Sequence, residues 1–283
     1  MPKLYISADL EGICWVTSPL QCSRQPDETA YRKAVEQLGV ELQTVINAAF
    51  EAGASEIVVN DSHCTMANLD LSHVGERVSL LSGKPKLCAM SAGLDESFDA
   101  AFYIGYHAKS GTENGILNHT FHSRIFNVSI NGQSLGETGI NAYYASLKYQ
   151  VPVLLVSGDQ ALCAEARSLL PKIQTVQTKT SISSTAALSR PLKDVLMDYQ
   201  TAVHHVFQRR ESWKSALLKL KKPYQLEVTF LSSLDADCAS MLAPLTRMDG
   251  RTLRFETDDF QVLYQTLQAA YALTGYINYM GNL

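Results

Sequence analysis

Asp9, Glu11, Asp61, His63, His107 and Glu137 each stand shortly after an apolar, strand-like run in the first half of the chain. Lys3-Leu4-Tyr5-Ile6-Ser7 leads to Asp9 and Glu11, Glu56-Ile57-Val58-Val59 to Asp61 and His63, and Ala100-Ala101-Phe102-Tyr103-Ile104 to His107. Val128-Ser129-Ile130 passes through an Asn131-Gly132 turn before Glu137. Open α/β sheets bind ligands in the crevice outside the carboxyl ends of their strands. Four carboxylates and two imidazoles converging there would suit a pair of divalent cations.

The spacing supports this chemistry. Asp9 and Glu11, like Asp61 and His63, are two residues apart, so each pair points to one side of an extended chain. Gly105 permits close backbone approach just before His107. Mixed carboxylate and imidazole ligands favour zinc, manganese, cobalt or iron over magnesium or calcium, and zinc comes first, with Mn2+ or Co2+ as substitutes. Two cations roughly 3.5 to 4 Å apart would share a water or hydroxide and polarise a substrate carbonyl, and Asp9 is a natural bridge between them. After His107 a polar loop runs from Lys109 to Gly115 and returns at Asn118-His119-Thr120. A loop histidine beside metal-bound substrate could stabilise an oxyanion, transfer a proton or attack directly.

Each residue also has a plainer explanation. A lone aspartate after a strand is usually a turn or cap residue, Glu137 suits the first turn of a helix, and His119 and His122 could be loop polars. Recurrence at successive strand ends weighs against that explanation. His73, His204 and His205 are read as structural, and Asp235, Asp237, Asp258 and Asp259 as helix starts.

The elements that must position these residues alternate. A helix is expected over Asp27–Ala52, a short one over Leu94–Ala100, another from Glu137 to Gln150, and a doubly buried strand over Val151–Val156. This pattern predicts a mostly parallel sheet flanked by helices, an α/β unit over residues 1 to 160. A smaller α+β domain follows over 161–283, with a strand Thr175–Ser181, a helix from Pro191 capped by Ser189, strands Gln225–Leu231 and Thr252–Glu256, and a last helix opened by Asp258-Asp259. It carries no comparable ligand cluster and is expected to shape the substrate site or mediate assembly.

Composition narrows the partners. In 283 residues, 46% are apolar and 18% charged, as in a globular enzyme. A formal charge of −4 gives no electrostatic reason for nucleic acid or an anionic membrane as partner, so a small substrate is expected. The N-terminus shows no signal-peptide pattern, and a cytoplasmic location is expected. The six cysteines include no C-x-x-C pair and are expected to be reduced, mostly buried thiols. Even Cys64, beside His63, is read as a small core residue rather than a ligand.

Ser7-Ala8-Asp9-Leu10-Glu11-Gly12, Asn60-Asp61-Ser62-His63, Gly105-Tyr106-His107, Asn118-His119-Thr120 and Gly136-Glu137-Thr138-Gly139-Ile140-Asn141-Ala142 together resemble the signature blocks of the M55 family of metallopeptidases, best known from bacterial D-aminopeptidases of the DppA type. The likeness runs in order through residues 3 to 160 and weakens beyond. It implies a two-domain α/β fold, ring-like homo-oligomers, and hydrolysis of the N-terminal peptide bond of short peptides, with a preference for an N-terminal D-residue. Carried over by residue, it puts two zinc ions on Asp9, Glu11, His63, His107 and Glu137, makes His119 catalytic, and leaves Asp61 in support. Two departures bear on specificity. Ile13-Cys14-Trp15-Val16 replaces a small residue and glycine, so Trp15 is expected to narrow or reshape the cleft. The loop from His107 to His119 is one residue longer than in the DppA type, which would reposition His119.

The leading expectation is therefore a dinuclear zinc aminopeptidase, with a metal-activated hydroxide favoured as nucleophile and His119 serving the oxyanion or the leaving amine. A dinuclear phosphoesterase would need similar ligands, but the D-x-H and G-N-H blocks of that class are missing and only Lys109 and Arg124 neighbour the cluster. A non-catalytic, metal-dependent binding protein is the third reading.

Overall fold

In the computed structural model, which describes residues 1–274, the first strand, β1 (Lys3–Ala8), sends Leu4 and Ile6 into one apolar cluster and Tyr5 into another. Alternation of this kind marks a strand buried on both faces. Asp27 opens α1 (Glu28–Glu51) by accepting the Ala30 amide on its side chain, and Tyr31, Ala34, Leu38, Leu42, Val45 and Ala49 then recur on one buried face. The chain continues through β2 (Glu56–Asp61), α2 (Leu71–Val74), β3 (Ser79–Leu81), β4 (Ala100–Ile104), β5 (Ile125–Ile130), β6 (Gln133–Ser134), α3 (Glu137–Tyr149), β7 (Val153–Asp159) and α4 (Gln160–Leu169). It closes with β8 (Gln174–Ser183), β9 (Ala186–Ser189), α5 (Leu192–Gln208), β10 (Tyr224–Phe230), α6 (Ser233–Ala239), β11 (Thr246–Arg247), β12 (Thr252–Thr257) and α7 (Phe260–Thr274).

Seven strands form the larger sheet in the order β3-β2-β1-β4-β7-β8-β9, parallel except for the β8–β9 hairpin. The chain leaves β1 toward β2 and β3, then returns to lay β4 on the other side of β1. That reversal opens a crevice beyond the carboxyl ends of β1 and β4. Helices α1 and α5 cover one face, while α3, α4 and the smaller sheet share the core of the other. The smaller sheet, β11-β12-β10-β5-β6, is antiparallel and adds Val128, Ile130, Leu226, Val228, Phe230 and Leu253 to that core. The expected α/β class, with a mostly parallel sheet, is the observed one.

Three local expectations change, at Val128–Ile130, Leu94–Ala100 and Ser189. Val128–Ile130 belongs to β5 of the smaller sheet, because its partner is the antiparallel β10, so Glu137 does not follow a strand of the parallel sheet. Each sheet takes strands from both sides of residue 160. β8 extends the parallel sheet from beyond that point by pairing with β7, and β5 and β6 join the smaller sheet from before it. Leu94–Ala100 is not helical: Gly93 has φ +77°, and the Asp95 carboxylate takes the Ser97 amide at 2.8 Å in a local turn. Ser189 ends β9 by pairing with Lys179, leaving Pro191 at the N-cap of α5 without a side-chain cap.

Candidate metal centre

Beyond its last residue β1 stays zipped to β4: the Asp9 amide donates to the Ile104 carbonyl at 2.8 Å and Gly12 to Gly105 at 2.7 Å. Only glycine fits this crossing. A Cβ on Gly12 would fall 1.8 Å from the Tyr106 carbonyl oxygen, and Gly105 has φ +75° with its would-be Cβ 2.2 Å from the Asp9 oxygen. Beneath, the buried Ser7 hydroxyl donates to the Met90 carbonyl and meets the Ser62 and Tyr106 hydroxyls at 2.6 and 2.7 Å. These bonds fix the strand ends that carry Asp9, His63 and His107.

The ligand candidates come together in two overlapping groups. His63 Nδ1 lies 3.1 Å from Asp9 Oδ1 and 3.0 Å from Glu11 Oε2, while His107 Nε2 lies 3.6 Å from Asp9 Oδ2 and 3.4 Å from Glu137 Oε2. Asp9 thus turns one oxygen to each group. His119 stacks on His107 with ring centroids 4.0 Å apart, and its Nε2 is 3.7 Å from Glu137 Oε1, so the loop between the two histidines brings His119 to the cluster. All but His119 are nearly inaccessible to solvent.

Each imidazole has one nitrogen engaged by a main-chain carbonyl and the other turned inward. His63 Nε2 donates to Cys22, His107 Nδ1 to Ala108 and His119 Nδ1 to Leu117, at 2.7, 3.0 and 2.9 Å. A carbonyl only accepts, so these bonds set the tautomers and leave His63 Nδ1, His107 Nε2 and His119 Nε2 to the cluster, as metal-ligating histidines are usually oriented. Glu11 Oε2 and His107 Nε2 are buried without a hydrogen-bond partner among the described residues. A divalent cation would satisfy both, and the donor set fits zinc.

Electrostatics agree. Burial and the Glu11 charge push the Asp9 carboxyl up to about 7. Burial opposes ionisation of Glu11 and Glu137 too, but the neighbouring His63 and His107 outweigh it and hold both carboxyls below their ordinary values. Burial likewise opposes charging of His63 and His107, yet Glu11 and Glu137 outweigh it and raise both imidazoles well above the ordinary value. The amino acids alone hold protons in place of positive charge, and cation binding would release them. His119 differs: burial and the adjacent His107 lower it, so it is neutral at pH 7.

Asp61 does not face the cluster. Its carboxylate accepts the Asn68 and Leu69 amides and the Asn68 side-chain amide, at 2.5, 2.8 and 2.7 Å, closing the loop that presents His63. Asp61→Ala would leave the buried Leu69 amide and the half-buried Asn68 donors without this acceptor, and urea unfolding should show a loss of roughly 2–3 kcal/mol.

Two contributors carry no local signature in the sequence. Lys179 on β8 is fully buried and donates to the carbonyls of Glu11, Ile13 and Val16 at 2.6, 2.7 and 2.6 Å, clasping the loop after β1, and burial pushes its pKa down to about 8. Cys22 brings its sulfur to Glu11 and His63, the three ligand atoms lying within 4.8 Å of one another. Cys64, the cysteine adjacent to His63 in sequence, is exposed rather than a core residue and joins no such group among the described residues.

The cluster forms one end of a cavity of about 600 Å³, walled by Met66, Met90, Leu117, Phe121 and Tyr271, with Ser184 and Thr185 from the β8–β9 turn. Trp15 corrects an expectation. It packs against the apolar cluster of α1 and α5 instead of lining this cavity. Its φ of +55° is the left-handed conformation that glycine adopts freely.

Comparison with known proteins follows the same lines. The family described as Peptidase M55, D-aminopeptidase, matches residues 2–269. A D-aminopeptidase of Bacillus subtilis (strain 168) is 32% identical over 275 residues, spanning 94% of this chain and 95% of its own. A solved structure, described as the Zn-dependent D-aminopeptidase DppA from Bacillus subtilis, a self-compartmentalizing protease, superposes with a TM-score of 0.90 at 29% identity, covering 96% of this chain and 97% of the other. A whole-chain match of sequence and fold, with the signature blocks meeting at one crevice, places this protein in the M55 family of peptidases, the D-aminopeptidases.

Proposed function

We propose that the protein is a zinc aminopeptidase that removes the N-terminal residue of short peptides, with preference for a D-residue. The observation that carries the two-cation form of this reading is Asp9, whose two oxygens face separate groups: Glu11 and His63 on one side, His107 and Glu137 on the other. Bound there, zinc supplies Lewis acidity for the scissile carbonyl and lowers the pKa of water.

The chain's own residues supply the rest. Asp9, Glu11 and Glu137 would hold the cations and largely neutralise their charge, and Met66, Met90, Leu117, Phe121 and Tyr271 give the rest of the cavity an apolar wall for the substrate. The Leu117 carbonyl keeps the proton of neutral His119 on Nδ1, so Nε2 is an acceptor. That arrangement favours proton transfer, from the attacking water to the leaving amine, over donation to an oxyanion. Phosphate chemistry is not favoured: Lys109 is engaged by Ser134 and Arg124 by the buried Asp235.

No described helix is long and apolar enough to cross a membrane. A cytoplasmic location and a ring-like homo-oligomer complete the proposal, the latter supported by the description of the B. subtilis structure as self-compartmentalizing. The test is hydrolysis of paired L- and D-alanyl dipeptides by zinc-loaded protein, with an aryl phosphate alongside. Cleavage of the D-series is expected; cleavage of the L-series alone would remove the stereochemical preference, and turnover of the phosphate alone would remove the peptidase.

A further inference from the structure

We infer that Cys22 is a thiolate ligand of the cation held by Glu11 and His63, and that it closes this subsite while the one at His107 and Glu137 stays open for reaction. The inference rests on the metal-centre reading above and extends it to a residue outside the blocks that carry the family resemblance.

Three observations support it. The Cys22 sulfur, a Glu11 carboxylate oxygen and a His63 ring nitrogen lie within 4.8 Å of one another, close enough for one ion to bridge them after small side-chain adjustments. Glu11 Oε2, one of the two carboxylate oxygens there, lies 3.0 Å from His63 Nδ1 and is buried with no hydrogen-bond partner among the described residues, and Glu11 is 7% exposed. The cysteine is also held in place. Cys22 follows a single helical turn, Pro19–Gln21, closed by reciprocal bonds between Ser18 and Gln21, and its own carbonyl accepts His63 Nε2 at 2.7 Å. The main chain of Cys22 therefore fixes the ring whose other nitrogen would share the ion.

Counting donors separates the two subsites. Glu11, His63 and Cys22 with one oxygen of Asp9 make four ligands, the number of a closed tetrahedral zinc site, whereas His107, Glu137 and the other Asp9 oxygen make three once His119, which lies in the same group of potential ligand atoms, is kept for proton transfer. A position for substrate is then left beside His119. A thiolate also makes the closed subsite softer, favouring zinc over manganese there. Coordination forms one sulfur–metal bond and releases the thiol proton to solvent, with no oxidant or reductant involved.

Cobalt loading tests this without reference to turnover. Protein carrying two Co2+ per subunit should show a thiolate-to-cobalt charge-transfer absorption in the near ultraviolet. Cys22→Ser should abolish that band, and Cys64→Ser, at the exposed neighbour of His63, should leave it unchanged. In chelator competition Cys22→Ser should release one of its two zinc ions at least roughly tenfold more easily than wild type, the other being unaffected. Two bound cobalt ions with no band, or a band that survives Cys22→Ser, would overturn the assignment of Cys22 alone. Wild-type protein that binds no cobalt would overturn the metal centre with it.

Discussion

His119→Ala should lower kcat by about 10²- to 10⁴-fold, the usual contribution of a positioned acid–base group, while zinc content measured by elemental analysis stays that of wild type. The separation follows from the division of roles. His119 Nε2 is 3.7 Å from Glu137 Oε1 and the ring stacks on His107, so it abuts two ligand candidates and is within reach of their cation, but the proposed mechanism assigns it to proton transfer and leaves the holding of that ion to Asp9, His107 and Glu137. Substrate binding, dominated by the bound cations and the apolar wall of the cavity, should change little, so the loss belongs in kcat rather than KM. The pH profile gives a second reading. Burial and the nearby His107 lower the His119 pKa, and bound cations would push in the same direction. Activity should therefore fall with acid only below the ordinary imidazole range, as His119 takes up a proton on Nε2. A variant that loses zinc along with activity would make His119 a ligand.

How legible the site was depends on the length scale of each interaction. Asp9, Glu11, His63 and His107 could be found because a strand's end, its alternation and the following turn are local in sequence, and the topology brings neighbouring parallel strand ends to one edge. Asp61 obeyed the same rule and still points elsewhere, since Asn68 and Leu69, seven and eight residues on, saturate its carboxylate. Glu137 was selected as a strand-end residue but arrives as the first residue of α3, after two strands of the other sheet. Alternation shows that a segment is a strand, and nothing in it names the sheet. Lys179 and Cys22 had no local signal at all. The lysine bonds a carbonyl 168 positions earlier, and the cysteine meets Glu11 and His63 only because the loop after β1 folds back across the strand ends. Such contacts appear in a sequence as an ordinary strand residue and an isolated thiol.

Asp9→Asn should have two effects of opposite sign. If one carboxylate serves both cations, its loss weakens both, and equilibrium dialysis at a zinc concentration that gives wild type two ions per subunit should find fewer than one in the variant, with peptide hydrolysis undetectable. Glu137→Gln should lose only one. In the metal-free protein the same substitution should stabilise, because Asp9, Glu11 and Glu137 are three carboxylates buried side by side and one fewer reduces both desolvation and mutual repulsion. The sign with pH can be worked out. A carboxyl raised from 3.8 in the unfolded chain to about 7 in the folded one costs stability progressively as pH rises through that window and fully above it. The metal-free variant should accordingly melt higher than metal-free wild type, by about 2–4 °C for each kcal/mol relieved, and the gap should be larger at pH 8 than at pH 5. Zinc reverses the ranking. At a hundredfold excess over its Kd each site adds about 2.7 kcal/mol to wild type, a gain the variant largely forgoes. Retention of both ions by Asp9→Asn, whatever its activity, would remove the shared carboxylate from the proposal and leave two independent sites.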